Sequence, residues 1–453
     1  MFKFAVSLFV SFGLLWPMHA AAANAPAPSR LFTVHELKED LRFMRAEIAR
    51  IHPDLSCSVS PERLEAAFKD IEAQLDKPMS GEQAFRILAT LNPIFADGHL
   101  QVGQPDWRKQ THAHLQAGGT LFPFELLVDA AGTILIRSDL GSETGALAGT
   151  VITAINGVPA ERVARALLAI TPGDTPELRA NLLSRRAWLA YRSVFGSPGQ
   201  YDLALATPSG PQHLRVAGSR AVPLALPEET FEQTFSFERL PGNAALLTVN
   251  DFNWPDKQRF YAFTRDVFTR LRAENVDTLL IDVRENRGGD DDMWINGILP
   301  YIADKPFRHA SAYVKKVIAG RESDSEKVGD VVRGPLTLRS VPVDPLRFRG
   351  KTYVMVGRTT YSSAVLFANV VQDFGYGKLV GEAGYARTRQ SGGIQILRLP
   401  HTGMEFVVPR FILERPAGGD AAALVRPDIV LPDSAFDKRA LIDALLRRPV
   451  TAR

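Results

Sequence analysis

A single cysteine, Cys57, stands among 453 residues, so no disulfide can close within the chain and its stability must come from packed cores. Cys57 also lies well beyond the small-residue run near the start, where a lipid-bearing cysteine would be expected, and it reads as a bystander. Long apolar runs are missing: the stretch from Phe4 to Trp16 is too short to span a bilayer comfortably, and no later segment reaches membrane-spanning length. An excess of one charge is missing too. With 53 basic and 50 acidic side chains interspersed, the formal charge is +3, which leaves no electrostatic footprint for nucleic acid. There is no convincing internal repeat and no long low-complexity tract, so a partner is to be sought in a groove.

The chain does have a basic start at Lys3, the short apolar stretch, and the run Ala20-Ala21-Ala22-Ala23-Asn24-Ala25. That order is the signature of a cleaved secretory signal over residues 1–25 and implies an exported protein, periplasmic or secreted, without stable membrane insertion. Residues 30–117 carry apolar side chains at three and four spacing, as in 34–44 and 65–71, and predict a helical domain. Residues 118–222 change to short strands and turns: apolar segments at 121–128 and 133–137, then an Asn156-Gly157 turn leading to a helix over 161–170. Such a β-rich module can accept an extended peptide on a sheet edge. Residues 223–453 alternate strands (244–249, 276–283, 352–356, 378–381) with helices (258–271, 293–302, 363–374), which predicts an α/β core with strands buried on both faces.

Within that core, Ser362 follows the apolar run 352–356 and opens a helix. A serine there stands at unpaired backbone N–H groups, where the helix dipole favours negative charge; it can be a nucleophile or an ordinary N-cap. Upstream lies Asp282-Val283-Arg284-Glu285-Asn286-Arg287-Gly288-Gly289, a buried strand running into a glycine turn. The acids Asp290, Asp291 and Asp292 are accounted for by a helix N-terminus, not a metal. His112-Ala113-His114 has metal-like spacing, yet further convergent ligands are not visible nearby, so neither metal nor cofactor is expected.

The 282–289 segment resembles the D-L-R-x-N-x-G-G turn of the C-terminal-processing (tail-specific) serine peptidase family, which includes tricorn-type relatives. Ser362 falls where that family carries its nucleophile, and Asp373 and Gly381-Glu382 follow at its spacings. Arg426-Pro427-Asp428-Ile429-Val430 is similar to its closing P-D-I element, and Ile152-Thr153-Ala154-Ile155-Asn156-Gly157 to the I-x-x-I-N-G of its PDZ-like module. The resemblance covers nearly all of the chain beyond the signal. It implies a ClpP/crotonase-like α/β core with an N-terminal helical domain and a PDZ-like module, acting on a peptide or unfolded-protein substrate.

It further implies Ser362 as nucleophile, with oxyanion donors from the Gly288-Gly289 pair and the Ser363 N–H. Where dyad members of the family place lysine, twenty-five residues beyond the serine, this chain has Arg387, which stays protonated and cannot act as a base. The tricorn-like branch draws a histidine from far upstream, and His99, in Ala96-Asp97-Gly98-His99, is the residue in that place. The orienting acid stays open: the family's glutamate position holds Ala421 beside Asp420, while Glu382 and Asp373 read as structural. A catalytically inactive peptide- or lipid-binding protein, or a small-ester hydrolase, on the same fold are the alternative expectations.

Overall fold

The computed structural model describes residues 30–56, 58–382 and 384–448. The expected signal segment and Cys57 lie outside them.

Six strands form the central sheet, in the order Phe235–Leu240, Ala244–Val249, Thr278–Asp282, Lys351–Val356, Lys378–Gly381 and Ile429–Val430. Only the first pair is antiparallel; the rest run parallel. Along Ala244–Val249, the side chains of Ala245, Leu247 and Val249 enter the core shared with the helices Lys257–Ala273 and Ser363–Asp373. Ala244 and Leu246 point the other way, against the helix Ala440–Leu446. Burial on both faces is why these strands read as unbroken apolar runs in the sequence. Thr278–Asp282 and Lys351–Val356 are neighbours with Asp282 opposite Met355, so the turns leaving their carboxyl ends emerge side by side.

The helix expected over 293–302 is instead two short ones, Asp291–Gly297 and Leu299–Ile302. Pro300 has no N–H with which to continue the first, and Gly297 packs where a Cβ would stand 2.6 Å from Phe260.

Residues 118–222 hold an antiparallel sheet in the order Phe124–Val128, Ile134–Asp139, Val151–Ile155, Gln200–Thr207, Gly210–Ala217. The helices Ala160–Leu168 and Ala187–Phe195 share its core. Asn156 and Gly157, at φ 50° and 77°, turn the chain into a two-residue strand, Val158–Pro159, before the helix begins.

The helices Val34–Ile51, Pro61–Gln74 and Gly81–Leu88 appear where periodicity placed them, the first and third opened by capping boxes at Thr33 and Ser80. The unit is not self-contained, however. Its core takes in Leu399, Met404, Phe406 and Val408, and the strand Gln101–Gly103 pairs antiparallel with Glu405–Val408. This pairing carries the segment around His99 to the C-terminal part of the chain. Among the described residues, no helix is long and apolar enough to cross a membrane.

Candidate active site

Ser362 sits where the strand Lys351–Val356 has ended and the helix Ser363–Asp373 begins. Its backbone, at φ 54° and ψ −127°, is strained for a residue with a side chain, at a typical cost of about 1–3 kcal/mol. The surroundings hold it there. Gly357 N–H donates to Thr360 Oγ1 (3.0 Å), whose hydroxyl donates to Val283 O (2.7 Å). Thr359 Oγ1 donates to Arg284 O, and Tyr361 N–H to Asn286 O. Ser362 N–H itself donates to Gln390 Oε1 at 3.0 Å. The Ser362 hydroxyl, by contrast, caps nothing: it makes no hydrogen bond to the described residues, so the N-cap alternative is set aside.

The facing turn is equally fixed. Arg284 is clamped between Asp282 and Asp433 (2.8 and 2.6 Å) and also donates to Lys438 O. Buried Asn286 donates to Val249 O and accepts the Gly288 N–H at 2.8 Å. Gly288, at φ 104°, is pressed so close that a Cβ would stand 2.5 Å from Ser362 Cβ and 3.0 Å from its Oγ. Only glycine fits. This corrects one expectation: the Gly288 N–H is committed to Asn286, and Gly288 serves by lacking a side chain. The N–H groups of Gly289 and Ser363 have no partner among the described residues. The Ser363 hydroxyl is a buried tie, donating to Asp291 and accepting from Trp294 Nε1 at 2.9 Å. Burial pushes the Asp291 carboxyl up to about 6.

His99 reaches this place from the other end of the chain. The helix Leu91–Phe95 stops at Ala96, whose φ is 47°, and Asp97 Oδ1 accepts the His99 N–H at 2.8 Å to close a turn. Leu100 and Val102 are buried beneath, as their alternation predicts. The His99 ring stacks on Tyr361, the residue before Ser362, with centroids 4.7 Å apart. Tyr361 is pinned in turn: its hydroxyl donates to Asp174 Oδ1 (2.6 Å) and accepts from Gly98 N–H (3.1 Å). A Cβ on Gly98 would lie 2.8 Å from that hydroxyl, so this glycine too is required by packing.

The carboxylate nearest the His99 ring is Asp97, which meets it through Ser391. The direct Nδ1 to Asp97 Oδ1 distance of 3.8 Å is too long for a hydrogen bond. Ser391 Oγ fills the gap, 2.9 Å from His99 Nδ1 and 2.8 Å from Asp97 Oδ1. A serine has one hydroxyl proton. Ionised Asp97 can only accept, so Ser391 gives it that proton and His99 Nδ1 must be the donor to Ser391. The imidazole proton is thereby fixed on Nδ1, and Nε2 keeps its lone pair. Burial lowers the His99 pKa below the ordinary imidazole value despite Asp97 and Asp174 nearby, which favours this neutral form. For Asp97, burial acts upward, but the His52 and His99 imidazoles outweigh it and hold the carboxyl well below the usual range. In the structure as it stands, His99 and Ser362 are not hydrogen-bonded to one another, and such bonds commonly tighten only with substrate bound.

The remaining candidates have structural roles. Arg387 donates to Ala96 O (2.6 Å) and to Asp174 O, tying the histidine turn to the core. Asp420 is exposed and folds onto its own loop, accepting from Ala422 N–H, so it is no part of the relay. Asp373 binds Arg415 in a bidentate pair, and Glu382 accepts from Tyr385 and from Asp433 N–H. His112 is exposed and His114 bonds Thr120 O; no metal-ligating cluster occurs among the described residues.

The structure thus brings Ser362, Ser363, Gly288, Gly289 and His99 into one neighbourhood. No curated protein matches the chain. Among solved structures, CPAF complexed with lactacystin superposes with a TM-score of 0.61 at 14% identity, over 91% of this chain and 97% of that one. Mature CPAF gives 0.60 at 14%, over 91% and 96%. The photosystem II D1 C-terminal processing protease aligns at 17% identity over 88% and 93%, with a TM-score of 0.45. At such identities the CPAF likeness shows the shared fold. Residues 243–431, which hold five of the six strands of the central sheet, the glycine turn and Ser362, match peptidase family S41. Those residues form a peptidase family S41 domain, and the protein is a serine-type peptidase, a hydrolase.

Proposed function

We propose that the chain is an exported, histidine-using member of its family that cleaves peptide or unfolded-protein substrates through an acyl-enzyme. His99 Nε2 takes the proton from Ser362 Oγ as that oxygen attacks the peptide carbonyl carbon. The carbonyl oxygen becomes an oxyanion facing the N–H groups of Gly289 and Ser363, whose fixed dipoles need no reorganisation. Collapse breaks the C–N bond, and the leaving amine collects the proton from His99 Nε2. Water then attacks the acyl carbon with His99 again as base, releasing the acid and freeing Ser362. While His99 is protonated, Asp97 offsets its charge through Ser391. Residues 1–25 would act as the secretory signal, 30–117 as the helical domain and 118–222 as a PDZ-like module presenting a sheet edge to substrate.

One observation carries this reading: the residue before a strained serine, whose hydroxyl has no hydrogen bond among the described residues, stacks on a histidine whose Nδ1 proton is committed to Ser391. The test uses the purified mature protein with Ser362→Ala and His99→Ala, followed by cleavage of unfolded casein. Both variants should lose roughly 10⁴–10⁶-fold in rate. Equal activity in all three proteins would remove the proposal. Turnover of p-nitrophenyl acetate without casein cleavage would turn it into an esterase, and a folded protein inert to a fluorophosphonate probe would leave a binding protein.

A further inference from the structure

Behind Asp97, on the side away from Ser391, lies a second imidazole that the reaction outlined above leaves unused. His52 caps the helix Val34–Ile51 and its side chain is 3% exposed. Its Nδ1 accepts the Asp54 N–H at 3.2 Å, so its own proton belongs on Nε2. That Nε2 is a buried donor without a hydrogen bond, 3.9 Å from Asp97 Oδ2. The distance is too long for a direct bond, and a water seated to one side of the pair can reach both atoms. A cavity of about 20 Å³, lined by His52, Asp97, Ser391 and Arg389 among others, opens at this spot. That volume holds about one water, and a water needs at least two polar partners, which Nε2–H and Oδ2 supply.

We propose that His52 is a positioning residue for the reaction, holding Asp97 through one buried water in the orientation that Ser391 and His99 require. This rests on His99 being the base for Ser362. The physical need comes from Asp174. Asp97 and Asp174 are both buried around the same turn, and two neighbouring carboxylates resist being charged together. The charged and titratable groups facing them are His52, Asp54, His99, Tyr361, Arg387 and Arg389. Asp174 is supplied by Tyr361 OH, Gly98 N–H and Arg387 N–H. Asp97 has the His99 turn and Ser391 on Oδ1, and on Oδ2 only the His52 side. His52 therefore decides that the negative charge stays on the carboxylate that serves the relay.

The experiment compares wild type, His52→Leu, which removes the donor, and His52→Gln, which can return an N–H. The readout is the rate of Ser362 labelling by a fluorophosphonate against pH, with melting curves to confirm folding. In that labelling Ser362 Oγ bonds phosphorus, fluoride leaves and the proton passes to His99. Without the donor, Asp97 loses the orientation through which its charge, by way of Ser391, raises the His99 pKa. The plateau rate of His52→Leu should therefore fall about tenfold and its acid limb, set by His99, move to lower pH by up to about one unit, while His52→Gln stays near wild type. A His52→Leu limb coincident with wild type overturns the proposal. So does a His52→Gln enzyme slowed with its limb unmoved, which also decides the matter should His52→Leu not fold. A wild type that fails to label at Ser362 sinks the serine–histidine reading itself; a labelling wild type beside an unaffected His52→Leu sinks only the role of His52.

Discussion

The two halves of the candidate site are built in different ways. The half that would receive the oxyanion is made of backbone: the strained elbow at Ser362 and the Gly288-Gly289 turn leave adjacent parallel strands and are laced together by threonine hydroxyls and amides. The half that would move the proton is made of side chains, with His99 on Tyr361 and Ser391 between His99 and Asp97, joined over sequence separations of 262 to 294 residues. The first half has no room for an added atom. The second can lose a hydroxyl and keep its shape.

That contrast orders the expected effects. The largest belongs to Gly288→Ala, whose methyl would collide with Ser362 Cβ and Ser363 N; we expect labelling and casein cleavage to fall at least about 10³-fold with the fold retained. A smaller loss, about 10–10²-fold, is expected for Ser391→Ala, because Asp97 remains 3.8 Å from His99 Nδ1 and water can occupy the vacated place. Equal losses in these two variants would erase the distinction between the halves.

Asp291 sharpens it from the stability side. Its carboxyl keeps a proton to about pH 6 in the folded state, whereas an unfolded aspartate releases it near pH 4. Folding therefore binds a proton in that window, and stability declines as pH rises through it, by at most about 3 kcal/mol. Asp291→Asn should flatten this decline in melting temperature between pH 4 and 6; an unchanged slope would show that Asp291 does not titrate there. The smallest effect on stability is expected for Ser362→Gly, which relieves the backbone strain and should stabilise the protein by about 1 kcal/mol while abolishing labelling. A lower melting temperature would mean that Ser362 is not strained.

The same contrast explains what could be read from the sequence. The elbow and the glycine turn are contiguous strand–turn–helix segments, so their residue order carries their geometry, and Ser362, Gly289 and Ser363 are found where their spacing put them. Gly288 was legible as a glycine but not as a spacer, since only the Asn286 side chain reveals where its N–H goes. His99 needed the resemblance and the arginine at 387. Asp97 was not weighed as the acid because it would work through a serine 294 residues away that only folding brings near. Its one local signal was the Asp97-Gly98-His99 turn, in which the aspartate had a ready role as an N–H acceptor. A division at residue 117 leaves out a related contact: the strand Gln101–Gly103 completes a sheet whose other members come after residue 390.

The most direct test of the serine–histidine pair is the pH profile of fluorophosphonate labelling at Ser362 in wild type and His99→Ala. Because burial lowers the His99 pKa, the wild-type profile should keep its acid limb below about pH 6.5, and His99→Ala should label at least about 10³-fold more slowly with that limb gone. Wild-type labelling by His99→Ala, with the same limb, would contradict the account.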